Sequence, residues 1–350
     1  MNTNFKSTSK SCLQSYILPS LTGLRATLLP LGGRRGWWRV CFFLLSLLLF
    51  AACSSDNDEQ VQQPQPEKSY PLTIEVTENP MTGDGENSSN RAAITTTSTL
   101  DKFYLNYNYA SEYSESGDKQ TITKPSETWT GGNWPNDAVS SGDVVNWYAY
   151  TDGIFHWTDV TPKKAYVTCA SDEFSAGQKD FLVSTASGTY TGTSNGKLSF
   201  TFNHACAAVR FQVKKSANLG DHTLTVSSIV LKNVVKHGKY YYDTDSWTLI
   251  NESASDITNY TLFSGSMTPG SSYTYLNGSE TDSYLFLLPQ TLTGWDGSTG
   301  TYVEIVWESN YGSHSSGTAK IPLAKTLKKG HRHDITIGIG TTALTTYSGY

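Results

Sequence analysis

Lys197–Val213 reads KLSFTFNHACAAVRFQV. Leu198, Phe200 and Phe202 alternate with Ser199, Thr201 and Asn203. Ala207, Val209, Phe211 and Val213 continue the pattern beyond His204. A period of two sends alternate side chains to opposite faces of an extended chain, whereas a helix would space its apolar residues by three and four. The stretch therefore predicts one long, half-buried strand with a bulge around His204.

The same pattern extends in both directions. Toward the N-terminus, Asp180–Thr185 (DFLVST), Val144–Thr151 (VVNWYAYT) and the Phe103, Leu105, Tyr107, Tyr109 series within Ala92–Tyr109 read as strands. The first strand is Tyr70–Glu78 (YPLTIEVTE), with Leu72, Ile74 and Val76 on one face and Thr73, Glu75 and Thr77 on the other. Toward the C-terminus come Thr223–Val235, a turn at His237-Gly238, Lys239–Tyr242, Tyr284–Leu288 stopped by Pro289, Tyr302–Trp307 and Gly317–Ile321. Lys329-Gly330 turns into His333–Gly340. Tyr, Thr, Val, Trp and Phe are abundant, with Gly, Ser, Asn and Asp between the runs, and neither long helical periodicity nor a short repeat is found. These features predict an all-β chain of antiparallel β-sandwiches. Polar Lys214–Leu219 reads as a link, dividing the chain into domains at 69–218 and 219–350.

Phe42–Ser55 reads FFLLSLLLFAACSS, preceded by Arg34, Arg35 and Arg39 and followed by Asp56, Asn57, Asp58 and Glu59. The apolar run of about 13 residues is short of the ~20 needed to span a bilayer as a helix. A basic region, a short apolar region and small residues before a cysteine are the order of a bacterial lipoprotein signal. Residues 1–52 then form the signal peptide, Cys53 carries the lipid, and 53–68 is a flexible tether. Phe50 departs from the leucine usual at its position, and the long stretch before Gly33 leaves the true start open. The acidic patch resembles surface-export signals of some Gram-negative lipoproteins, which implies the outer face of the outer membrane.

Phe202–Val213, Tyr284–Thr293 (YLFLLPQTLT) and Leu327–Gly340 (LKKGHRHDITIGIG) resemble the fimbrillin, or Mfa-like, family of anaerobe surface pilins. Asn90–Tyr107 (NRAAITTTSTLDKFYLNY) is similar to the start of a processed fimbrillin. The resemblance implies two tandem transthyretin-like sandwiches, no cofactor, and assembly with other fimbrial subunits. It also implies an arginine-specific protease that cuts after Arg91, leaving Ala92 first and releasing Leu72, Ile74 and Val76 with their strand. Arginine follows Cys53 only at 91, 210 and 332, and the latter two fall in or beside expected strands. The donor strand implied for the neighbouring subunit is Asp334–Leu344, with Ile335, Ile337 and Ile339 as its apolar set. That segment reads equally as the closing strand of its own domain.

A formal net charge of −5 with no basic stripe argues against nucleic-acid binding. No nucleophile elbow, phosphate loop or zinc pair is present, so no metal, cofactor or enzyme activity is expected. His331 and His333 read as a solvated turn, and His204 as a strand-bend histidine without a nameable acid partner. Cys169 and Cys206 are open to pairing or to burial as free thiols. Trp129 and Trp134, beside Asn133 and Asn136, could stack on a glycan or plug a core. Two alternatives to the pilin stay open: a fimbrial tip or accessory adhesin, and an uncleaved glycan-binding surface lipoprotein. The host or bacterial receptor is not specified by any of these residues.

Overall fold

The computed structural model describes residues 68–83, 100–171, 180–192, 197–276, 284–311, 314–340 and 346–348. Cys53, Arg91 and Ala92 lie outside these. Lys197–Val213 alternates as expected but is not one strand. Leu198–His204 belongs to one sheet and Ala207–Lys215 to another. The expected bulge at His204 is a change of sheet. Ala205 and Cys206 are fully buried at the crossing, and residues just before two other strands satisfy their backbone: Ala205 N–H donates to Phe181 O at 2.9 Å, and Gly330 N–H donates to Cys206 O at 2.8 Å.

The first sheet orders Ile74–Glu78, Leu198–His204, Leu182–Gly188, Val145–Tyr150 and Lys102–Tyr109, with Glu112–Tyr113 and Gln120–Thr123 both paired to the last. One face buries Phe103, Leu105, Val145, Trp147, Phe200 and Phe202. Trp134, and Ala138 of the short helix Asn136–Ser141, pack into the same cluster. Tyr150 and Val183 share a second cluster with Phe155, Val167 and Tyr240. Those residues belong to a four-stranded sheet of Ile154–Trp157, Ala165–Ala170, His237–Tyr241 and Ser246–Ile250. The expected turn at His237-Gly238 is therefore the start of a strand, and Lys236 is a second crossing point between sheets. Its N–H donates to Asp256 O, and its carbonyl accepts from Ser171 N–H, each at 2.8 Å.

The second sandwich pairs Ala207–Lys215 with His331–Ile339 in parallel, flanked by Thr274–Tyr275, Leu285–Leu287, Thr82–Gly83 and Thr346–Ser348. Across the core lies the sheet of Ile257–Met267, Leu224–Val235, Tyr302–Tyr311 and His314–Pro322. Val209, Phe211 and Val213 meet Val226, Ile229, Leu231, Val303 and Ile305 there. Each such side chain contributes about 1.5–3 kcal/mol by leaving water. A short ribbon joins Gln290–Leu292 to Lys325–Leu327.

The fold is all-β. Most strand pairings are antiparallel, and among the described strands three pairings are parallel. Sheets draw strands from both sides of residue 218: Ala165–Ala170 pairs with His237–Tyr241, and Ala207–Lys215 with His331–Ile339. Residues 66–350 form one compact unit. A boundary at 218/219 is thus a proposal about sequence segments, not a line between sheets.

Candidate functional site

Ile74–Glu78 lies at the outer edge of the first sheet, parallel to Leu198–His204, with Ile74 opposite Leu198 and Glu78 opposite Phe202. Leu72 and Ile74 are 7% and 8% exposed, and Val76 packs against the same cluster. The inward set therefore lies beside Leu198, Phe200 and Phe202 on the same buried face of the sheet, as alternation along an edge strand requires. An edge strand needs only one partner strand, so its removal leaves a row of unpaired backbone donors and acceptors above an apolar trench.

The approach to the strand is held by the Gly131–Pro135 loop. Leu72 N–H donates to Gly132 O at 3.2 Å, and Trp134 N–H donates to Tyr70 O at 2.8 Å. Gly132 has φ +78°, and a Cβ there would stand 3.0 Å from Leu72 Cδ1 and 2.6 Å from Gln120 Oε1. Only glycine provides both the left-handed backbone and the room for Leu72.

The outward face carries a ladder of polar pairs. Glu75 bonds Lys197, Thr77 Oγ1 lies 3.0 Å from Thr201 Oγ1, and Asn79 Nδ2 donates to Asn203 Oδ1 at 2.8 Å. Exposed pairs of this kind contribute about 0–1 kcal/mol each, enough to set register but not to hold the strand alone. On the inward face, beyond Val76, Glu78 Oε1 stands 3.5 Å from Nε2 of His204, whose Nδ1 bonds Asp180. His204 thus has the acid partner that could not be named from the sequence. Burial lowers its pKa, but the bond and charge of Asp180, with Glu78 behind, leave it raised.

The sequence model of the fimbrillin-like family matches residues 63–349. The chain belongs to the fimbrillin-like family. No curated protein matches it. Among solved structures, a fimbrial protein from Bacteroides vulgatus is similar at 17% identity, covering 79% of this chain and 99% of that one, with TM-score 0.47. A candidate cell-adhesion protein from Bacteroides ovatus is similar at 12% identity, covering 81% and 96%, with TM-score 0.49. Family membership supports the role of a fimbrial subunit at the cell surface, a structural rather than an enzymatic task.

In this fimbrillin-like chain the other singled-out residues take different places. Ile335, Ile337 and Ile339 are at most 1% exposed, and their strand is interior, between Ala207–Lys215 on one side and Thr82–Gly83 and Thr346–Ser348 on the other. Trp134 is 2% exposed and edge-on to Trp147 at 5.8 Å, which favours core packing, the second of its two readings. Trp129 is half-buried against Phe103 at 5.1 Å. The solvated-turn expectation fails for His333, which is fully buried and accepts Lys328 N–H at Nε2, 2.9 Å away. Cys169 and Cys206 are both buried in one cluster and are not joined by a disulfide. Among the described residues no group of three His, Cys, Asp or Glu side chains is placed to hold a metal ion, and no helix is long and apolar enough to cross a membrane.

Proposed function

We propose that this chain is a structural subunit of surface fimbriae, exported as an outer-membrane lipoprotein on Cys53, cut between Arg91 and Ala92, and polymerised by donor-strand exchange. The observation that carries this reading is the edge position of Ile74–Glu78 with Leu72 and Ile74 seated in an apolar trench. A cut after Arg91 separates that strand covalently from everything that follows. It also frees buried Met81 and Thr82–Gly83, which pairs with His331 and Arg332. The vacated edge then runs over two sheets, and a strand from the next subunit satisfies the same donors and acceptors.

The donor is assigned to Asp334–Leu344, with Ile335, Ile337 and Ile339 inward. In the closed subunit those side chains fill their own core, so donation withdraws them at about 1.5–3 kcal/mol each, offset when they enter the neighbour. The buried, interior position of that strand favours a second reading, a tip or accessory adhesin that keeps its last strand folded.

Two experiments separate these readings. The purified precursor is treated with an arginine-specific protease. Mature chains beginning at Ala92 and SDS-resistant ladders support the pilin, whereas monomers alone after complete cutting refute it. The strand His331–Ile339 is then locked in place by Gln212→Cys with Thr336→Cys, registered partners on adjacent strands. Ladders that vanish on oxidation and return on reduction assign this strand as donor. Ladders that persist with the lock closed remove that assignment.

A further inference from the structure

Glu78, Asp180 and His204 come together where three parts of the fold meet. Glu78 ends the first strand, Asp180 precedes Leu182–Gly188, and His204 is the last residue before the chain changes sheets. Asp180 and His204 are 6% and 4% exposed, and the ring bonds Asp180 through Nδ1 while Nε2 faces Glu78 at 3.5 Å. A buried histidine between two carboxylates from different elements is costly to desolvate. It does, however, link the first strand to the rest of the fold.

We infer that these three residues form a proton-operated latch on the first strand. With one proton shared between Asp180 and His204 the strand is clamped through Glu78, and loss of that proton at alkaline pH frees it. This deepens the strand-release reading above and rests on it. The charge of the dyad is the same whichever partner holds the proton. With one proton the dyad is neutral overall and presents a donor toward Glu78. Without it the dyad is anionic and repels the Glu78 carboxylate. Among the described residues Cys206 also feels the Asp180 charge: its buried thiol is pushed up first by desolvation and then by that charge, and it adds no cation that would mask the change. Burial pulls the His204 pKa down, but Asp180 and Glu78 leave it raised. The latch is therefore fully engaged below the ordinary histidine value of about 6.5 and is lost as pH rises through the raised one.

The test uses the uncut full chain in detergent micelles. Amide exchange of residues 72–79 is followed by mass spectrometry from pH 6 to pH 9, corrected for intrinsic exchange. The opening constant rises about tenfold for each pH unit separating the midpoints of the latched and open states. Glu78→Gln keeps the shape and an acceptor oxygen but removes the charge, so its opening constant is higher at pH 6 and rises less steeply with pH. Glu75→Gln, on the same strand but facing Lys197, raises opening while leaving the wild-type slope. A flat wild-type profile, or an unchanged slope in Glu78→Gln, overturns the latch. The assembly reading fails separately: a cut chain that forms no ladders refutes polymerisation even where the exchange slope is present. Ladders growing equally fast at pH 6 and pH 9 refute the latch alone.

Discussion

Arg210 and Asp334 occupy the same rung of two parallel strands, and the guanidinium donates to both carboxylate oxygens, at 2.9 and 3.2 Å. Tyr275 and Tyr284 cover the guanidinium, with ring centres 4.4 and 5.4 Å away. A planar fork that is stacked and doubly bonded is a task lysine cannot take over. Arg210→Ala leaves a mostly buried carboxylate without this partner and lowers stability by about 3 kcal/mol. Arg210→Lys recovers part of it. Urea unfolding measures both, and an alanine variant within about 1 kcal/mol of wild type would show that backbone pairing and core packing, not the bridge or its stacking, hold the strand.

Gly132 makes room for Leu72. Gly132→Ala adds a left-handed penalty of about 1–3 kcal/mol and a methyl against Leu72 Cδ1. The first strand loosens before the rest of the fold does. Limited proteolysis within residues 68–78 should accelerate at temperatures where near-ultraviolet circular dichroism is unchanged. Equal loss of both signals would mean that the strand and the core unfold together.

Trp134→Ala opens a cavity over Trp147 and costs about 3–5 kcal/mol. The expected readout is a lower melting temperature, with no selective loss on a glycan array. Selective loss of one glycan at unchanged melting temperature would restore the stacking role that the buried ring argues against.

Cys169 and Cys206 should resist a maleimide in the folded protein and react with it in urea. Both are buried, and desolvation pushes the Cys206 thiol well above its ordinary value, which suppresses the reactive thiolate. Mass spectrometry of labelled peptides reads the result. A mass two hydrogens lower across the two peptides would show instead that they pair on the cell surface.

Asp256 caps a turn beside the second crossing point. The bond from His237 at 2.7 Å, then those from Ser253 and the backbone of Ser253 and Glu252, hold its carboxyl down to about 2. A depressed carboxyl contributes stability above the unfolded value of about 3.9 and loses it as pH falls toward 2. Asp256→Asn should flatten the acid limb of stability between roughly pH 4 and pH 2. An unchanged acid limb would place the acid sensitivity on other carboxylates.

Alternation of apolar and polar residues determined by itself that the chain is all-β, and placed Leu72, Ile74 and Val76 on one face and Ile335, Ile337 and Ile339 on another. That information is local, because pleating sends every second side chain to the same side whatever the strand later pairs with. The quoted motifs were likewise enough to point to the fimbrillin-like family. Only the tertiary structure decided where the chain leaves one sheet for another. At Ala205-Cys206 and at Lys236 the alternation runs on almost unbroken, while the backbone partners come from Phe181, Gly330, Asp256 and Ser171. Short or polar strands such as Ile154–Trp157 and Ser246–Ile250 are extended because neighbours pair with them, so their own residues carry little signal. The acid beside His204 is 24 residues away along the chain, and the burial of Trp134 comes from contacts with distant strands. Pairing and burial are long-range free energies, and a pattern of period two does not name the partner.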